Sequence, residues 1–183
     1  MTSQTEEKII NAALKVFSEK GYVGATTMNI AEESGFSEKT LFRKFKTKEN
    51  LFNMTIIQKG IEMGKFFQES VLIEKEFEDN RDFLENLIKN YRDLGNHYFE
   101  YFHLAINERT RIHEPVQVEF NFIVSEYLRK HIPGKKIDYM TLGLTISAFM
   151  YMTITEYNLG HHAIDLDTVL ENFIDILIKA VNE

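Results

Sequence analysis

Between Ser37 and Lys48 five cations, Lys39, Arg43, Lys44, Lys46 and Lys48, stand against a single acid, Glu38. A cluster this dense is suited to contact with a polyanion, because each cation set against a phosphate releases condensed counterions. Ser37 is a residue type that caps helices, and Lys39, Thr40, Arg43 and Lys44 fall within the two turns that would follow it. Small polar side chains and cations near a helix start are what a helix needs to read base edges in a major groove about 12 Å wide. The bland alternative for an isolated basic stretch is a solvated helix and loop, so the surrounding elements decide between the two.

Other chemistries are poorly supplied. The 183 residues contain no Cys, which excludes disulfides, iron–sulfur clusters, thiolate zinc sites and a cysteine nucleophile. The six His are scattered. Glu100 and His103 stand three apart and His161-His162 share a turn, but no His pair spaced by four is joined by a further acid, so neither a metal nor any cofactor is expected. There is no Gly-rich phosphate loop and no nucleophile elbow, and the chain does not read as an enzyme. A composition 44% hydrophobic and 27% charged is that of a folded soluble protein. The net charge of −7 is unevenly spread. Residues 1–60 carry 9 Lys and Arg against 7 Asp and Glu, and residues 61–183 carry 12 against 21. A compact basic patch thus sits in an acidic chain. Without a secretory-type leader or an apolar run of about eighteen residues, a cytoplasmic protein with no membrane partner is expected.

The elements that would position the patch are written in local signals. Ser3 followed three residues later by Glu6 is a capping box, and Ile9, Ile10, Ala13, Leu14 and Phe17 recur at helical spacing up to Gly21. Thr26 or Thr27 caps a short second helix carrying Met28, Ile30 and Ala31 and ending at Gly35. Ser37 caps a third with Leu41, Phe42 and Phe45, and Thr47 a fourth with Leu51, Phe52, Ile56, Ile61 and Phe66. A charged loop beyond Leu72 precedes a stripe from Phe83 to Ile106, predicting one helix of more than twenty residues with a possible break near Gly95. Pro115 opens another helix, with Phe120, Ile123, Tyr127 and Leu128, closed by Pro133-Gly134. Tyr139 to Thr155 carries no charge and is apolar all round, which predicts burial on most faces. A last helix carries Val169, Leu170, Phe173, Ile174, Leu177, Ala180 and Val181. No strand alternation is present, and the expectation is an all-α chain of about nine helices.

The run Thr26-Thr-Met-Asn-Ile-Ala-Glu-Glu-Ser-Gly-Phe-Ser-Glu-Lys-Thr-Leu-Phe-Arg-Lys-Phe-Lys-Thr-Lys-Glu-Asn-Leu51 resembles the DNA-binding signature of the TetR family of bacterial regulators. Residues 9–22 resemble that family's first helix. The resemblance covers about a quarter of the chain, Glu7 to Phe52. It implies a three-helix DNA-binding domain with a helix-turn-helix (1–47) and a larger helical ligand-binding and dimerisation domain (48–183). It further implies phosphate contacts from Thr27 and Lys48 and base approaches from Lys39 and Thr40. Arg43 and Lys44 would reach bases or backbone, and Ala31, Gly35, Leu41 and Phe45 would serve packing and the turn. Phe42 departs from the Tyr usual there, so a phosphate hydrogen bond is lost and the ring's packing remains. Glu38-Lys39 stands where a small residue is common; Glu38 either accepts from cytosine or serves as a first-turn acid favourable to the helix dipole.

A single head with about five cations binds DNA weakly and without selectivity at physiological salt, so a homodimer on a palindromic operator is expected. Gly143 and Ser147, one helical turn apart, and the stripe of Leu170, Phe173, Ile174 and Leu177 are the interface candidates; the alternative is that both stripes fill the monomer core. The resemblance implies a four-helix interface built from the last two helices of each subunit. Tyr91, Tyr98, Phe102, Phe120, Ile123, Tyr127 and Met150 could line an apolar cavity with hydroxyl handles, each being otherwise ordinary core. Glu156 could answer a cationic ligand or simply end its helix. The functional expectation is a repressor of transcription released from its operator by a small apolar or cationic effector. The alternative is a helical DNA-binding or partner-binding module with no small-molecule response.

Overall fold

The computed structural model describes residues 3–112, 116–134, 136–161 and 165–182, with the side chains of 116–119 left aside. Among the described residues there are nine α-helices and no strand, as expected. They are α1 (Gln4–Gly24), α2 (Thr27–Ser34), α3 (Glu38–Phe45), α4 (Lys48–Phe66), α5 (Asn80–His97), α6 (Phe99–Asn107), α7 (Val116–His131), α8 (Tyr139–Asn158) and α9 (Leu166–Asn182). Pro115 and His162 lie outside the described residues. No described helix is long and apolar enough to cross a membrane.

The chain forms two compact units, residues 1–64 with 98–113 and residues 65–97 with 114–183. In the first, the caps read from sequence form as hydrogen bonds. Ser3 and Glu6 make a reciprocal capping box at α1, and Thr26 and Asn29 make another at α2. Ser37 Oγ accepts from the Thr40 N–H at 3.2 Å, and Thr47 Oγ1 accepts from the Asn50 N–H at 3.0 Å. Gly35 takes φ +73°, which a side chain would strain, and its N–H returns to the carbonyls of Ala31 and Glu32. The turn between α2 and α3 is therefore as tight as a helix-turn-helix requires. Ile9, Ile10, Ala13, Phe17, Ile30, Leu41 and Leu51 are fully enclosed, and Phe17 meets Phe52 edge-on at 5.2 Å between centroids. Ile61, expected on the buried stripe of α4, is instead 68% exposed.

In the second unit, α5 lies against α8 and α9, and α7 against α8. Phe83, Leu84, Leu87, Ile88, Tyr91 and Leu94 bury the inner stripe of α5. Arg81 and Arg92 bond to Asp175 and Asp167 of α9 at 2.6 and 2.7 Å. After α4 the chain relaxes into a wide π turn, Phe67–Val71, and then the charged loop expected beyond Leu72. The single long helix predicted over the Phe83–Ile106 stripe is two helices, parted at Tyr98 rather than at Gly95. The spacing could not reveal this, because α5 and α6 serve different hydrophobic cores and the stripe merely runs on from one to the other. α8 also departs from expectation: Met140, Leu144 and Met152 are 45%, 51% and 58% exposed. A helix apolar all round has only one face covered by its own chain.

Candidate nucleic-acid interface

The buried face of α3 is set by Leu41 and Phe45, which lock it into the core of the first unit. Helical periodicity then turns Lys39, Phe42 and Arg43 outward together, and all three are exposed. Phe42, at 42% exposure, is an unusual apolar residue to leave in water between two cations. Thr40 is half-buried, with its hydroxyl 3.1 Å from that of Ser37. Lys44 is turned the other way, its ammonium 3.4 Å from Glu6 and from the Ser3 hydroxyl at the start of α1. The Lys46 ammonium folds back on the Arg43 carbonyl at 3.2 Å. The outward face of α3 therefore presents Lys39, Phe42 and Arg43, with Lys44 engaged in holding α1.

Thr27, at the first position of α2, is half-buried and donates its hydroxyl proton to Glu38 Oε1 at 2.6 Å. Lys48, at the first position of α4, lies with its ammonium 4.5 Å above the Tyr22 ring, on which Arg111 also rests at 4.4 Å. Partial burial, with the charge of Arg111 second, lowers the Lys48 pKa against the opposing pull of Glu108. Glu108 accepts from the Tyr22 N–H at 2.8 Å and pairs with Arg111 at 3.1 Å, tying the end of α6 to the end of α1. No local signal marks the Tyr22–Glu108 bond in the sequence, since the two residues lie 86 apart. The Glu38–Thr27 pair is hidden for the same reason.

The seven cavity candidates divide between the two units. Tyr98 and Phe102 belong to the first unit and the other five to the second. There Tyr91 is buried, its hydroxyl 3.2 Å from that of Ser147 and its ring edge-on to Phe67 and Phe120. Burial pushes the Tyr91 phenol far above its ordinary value. Phe67, whose ring lies 4.3 Å from that of Phe120, completes this cluster; its place in the π turn gives no sequence cue. Tyr127 sits in another cluster, with Phe83 and His131, and donates to the Ile73 carbonyl at 2.7 Å. Burial, with Glu74 second, pushes its phenol up to about 12. Met150 is enclosed, and Ile123 is exposed. Glu156 pairs with His161 at 2.7 Å at the end of α8. His103 meets Asn107 at 3.0 Å, and among the described residues no three His, Asp or Glu side chains gather as a metal site would require.

The six interface candidates lie inside the second unit of one chain. A Cβ at Gly143 would stand 3.3 Å from Val124 Cγ1, so the small residue admits α7. Ser147 faces Tyr91, Phe173 stacks on Phe149 at 3.8 Å, and Leu170, Ile174 and Leu177 are buried with it.

Residues 9–54 match the family described as bacterial regulatory proteins, tetR family. The chain is 28% identical over 112 residues to the HTH-type transcriptional regulator YvkB of Bacillus subtilis, an alignment covering 53% of this chain and 59% of that protein. It is 32% identical over 72 residues to the HTH-type transcriptional repressor AcnR of Corynebacterium glutamicum, covering 39% of this chain and 38% of the repressor. The matches thus span less than two thirds of these curated relatives. The transcriptional regulator FadR of Bacillus subtilis, solved in complex with stearoyl-CoA, superposes with a TM-score of 0.68 at 21% identity, covering 93% of this chain and 96% of that one. At that identity the likeness is one of fold.

Proposed function

We propose that this chain, a member of the tetR family of bacterial regulatory proteins, is a homodimeric repressor that reads a palindromic DNA operator and is released from it by a small apolar or cationic effector. The observation that carries the reading is the outward face of α3, where Lys39, Phe42 and Arg43 are exposed side by side behind a tight, capped turn. Arg43 has the fork that matches guanine, and Lys39 and Thr40 occupy the first turn that meets base edges. Thr27 and Lys48 stand at helix starts, where backbone N–H groups favour phosphate. The curated relatives this chain matches are transcription regulators.

Dimerisation is supported by what α8 leaves uncovered. Met140, Leu144, Ala148 and Met152 recur every four residues along an exposed stripe of the unit, and exposed Ile176 of α9 adds to the apolar surface. An apolar stripe of this kind is ordinarily covered by a partner. The six residues first assigned to the interface would then back the contact from behind. For the effector, the cluster of Tyr91, Phe67 and Phe120, with the Tyr91–Ser147 pair as its polar handle, is the site we favour. A structural relative was solved with stearoyl-CoA, so acyl-CoA thioesters belong among the first compounds tried. An effector that prefers the DNA-incompetent arrangement by about 2 kcal/mol lowers operator affinity roughly thirtyfold.

The test is selection of bound sequences from a random duplex library at fixed salt, followed by affinity for the selected site across salt concentrations. Enrichment of a palindrome, with half-sites about one or more helical turns apart, is expected. Uniform, purely salt-dependent binding by protein refolded free of ligand would refute operator reading.

A further inference from the structure

The hydrogen bond between Thr27 and Glu38 has a consequence for how the head discriminates bases. A threonine hydroxyl owns one proton, and an ionised carboxylate can only accept. In the free head that proton is committed, since Thr27 Oγ1 donates to Glu38 Oε1 at 2.6 Å. Thr27 therefore cannot also donate it to a phosphate. Among the described residues no cation lies within ion-pair distance of this carboxylate: Lys44 of α3 is held by Glu6 and Ser3, and Lys46 just beyond α3 by the Arg43 carbonyl. Both partners sit at the first position of their helices, Thr27 on α2 and Glu38 on α3, and both are half-buried.

Docking on DNA forces an exchange. For Thr27 to donate to a phosphate its O–H must leave Glu38, and the carboxylate then lies in the first turn of the reading helix without its donor. In the major groove only cytosine N4 and adenine N6 offer an amino donor; guanine and thymine present acceptors to that edge. Opposite an amino group the carboxylate is satisfied again. Opposite guanine or thymine it is left as an unpaired anion beside the backbone, a costly state for a partly desolvated group.

Resting on the operator-reading function above, we propose that Glu38 is a specificity-determining residue. It holds the Thr27 hydroxyl away from phosphate until an amino-bearing base, cytosine first, takes the hydroxyl's place. Glu38 then works chiefly by penalty: it weakens binding to wrong sequences more than it strengthens binding to the right one.

The experiment compares wild type, Glu38→Ala and Thr27→Val in the same library selection, with thermal melts to establish that each head is folded. Wild type should show one position in each half-site where cytosine or adenine is preferred by roughly fivefold to a hundredfold, the range for one good side-chain–base pair. Glu38→Ala should flatten that position alone. It should also bind a non-cognate duplex roughly three- to tenfold more tightly, the net worth of one hydrogen bond no longer contested. Thr27→Val should weaken binding to all sequences alike and leave the preference intact. If Glu38→Ala selects the same base with the same ratio as wild type, or gains no affinity for non-cognate duplex, the inference is overturned while operator reading stands. If wild type itself enriches no sequence, operator reading falls and this inference with it.

Discussion

The Tyr91–Ser147 pair joins α5 to α8 inside the second unit, and its energetics can be worked out in advance. The oxygens are 3.2 Å apart, longer than the usual 2.7–2.8 Å for paired hydroxyls, which places the bond at the weak end of its range. In Tyr91→Phe the Ser147 hydroxyl can turn to the carbonyl one helical turn back, so the expected loss is about 0.5–1 kcal/mol. Ser147→Ala is harsher. It leaves the Tyr91 phenol buried among Phe67 and Phe120 without its partner, at a cost of about 1–3 kcal/mol. The double variant removes both polar ends, and it should lose no more than Ser147→Ala alone. The coupling energy should then be about 1 kcal/mol. Urea denaturation followed by circular dichroism, at one fixed protein concentration so that association does not shift the midpoint, measures all four corners of the cycle. Midpoint temperatures should fall by roughly 2–4 °C per kcal/mol lost. Losses that simply add, within about 0.5 kcal/mol, would mean that the two hydroxyls do not interact and that the reasoning fails. If the pair is the effector's handle, the double variant should also keep operator affinity while responding less to the effector.

Ser37→Ala should destabilise the head by about 1 kcal/mol and Ser37→Asp should restore it, because the hydroxyl caps the Thr40 N–H at the start of α3; thermal melts read both. Lys48→Ala should weaken binding to all duplexes alike and lower the slope of log affinity against log salt by about one, whereas Arg43→Ala should relax the base preference at one position; salt titrations and selection separate them. His131 contributes a pH dependence to the second unit. It packs against Phe77, Phe83 and Tyr127 and lies near Glu74 and Lys130. Burial, opposed by Glu74 and aided by Lys130, lowers its pKa below the ordinary 6.5. The unfolded chain therefore takes the proton first on acidification. Stability from this group is complete above about pH 6.5 and declines as the pH falls toward the folded value, and His131→Phe should remove that part of the decline in melts from pH 7.5 to 5.5.

Much of the fold and of the candidate interface around α3 was legible in the residues because its signals are local. A cap such as Ser37, a turn glycine such as Gly35 and a stripe such as Leu41 and Phe45 act within a few residues, so sequence by itself determined where α1, α2, α3 and α4 begin, while the exposure of Phe42 and the inward turn of Lys44 were settled by packing. What it left open was the partner of each exposed or apolar group. Lys44 belongs to the basic patch by sequence and to the α1 cap in the fold, and Glu38 opens α3 and yet holds Thr27 of α2. Tyr22 finds Glu108 86 residues away, and the stripe that spells one long helix divides at Tyr98 between two cores. A hydrophobic period states that a face must be covered, without stating by what. Only the tertiary structure decided that α7 fills the space at Gly143, that Phe149 stacks on Phe173, and that the Met140, Leu144 and Met152 face of α8 is left exposed by its own chain. The physical reason is range: hydrogen-bonded caps and turns are settled within one helical turn, whereas the neighbour of a buried side chain is settled by packing of segments far apart in sequence.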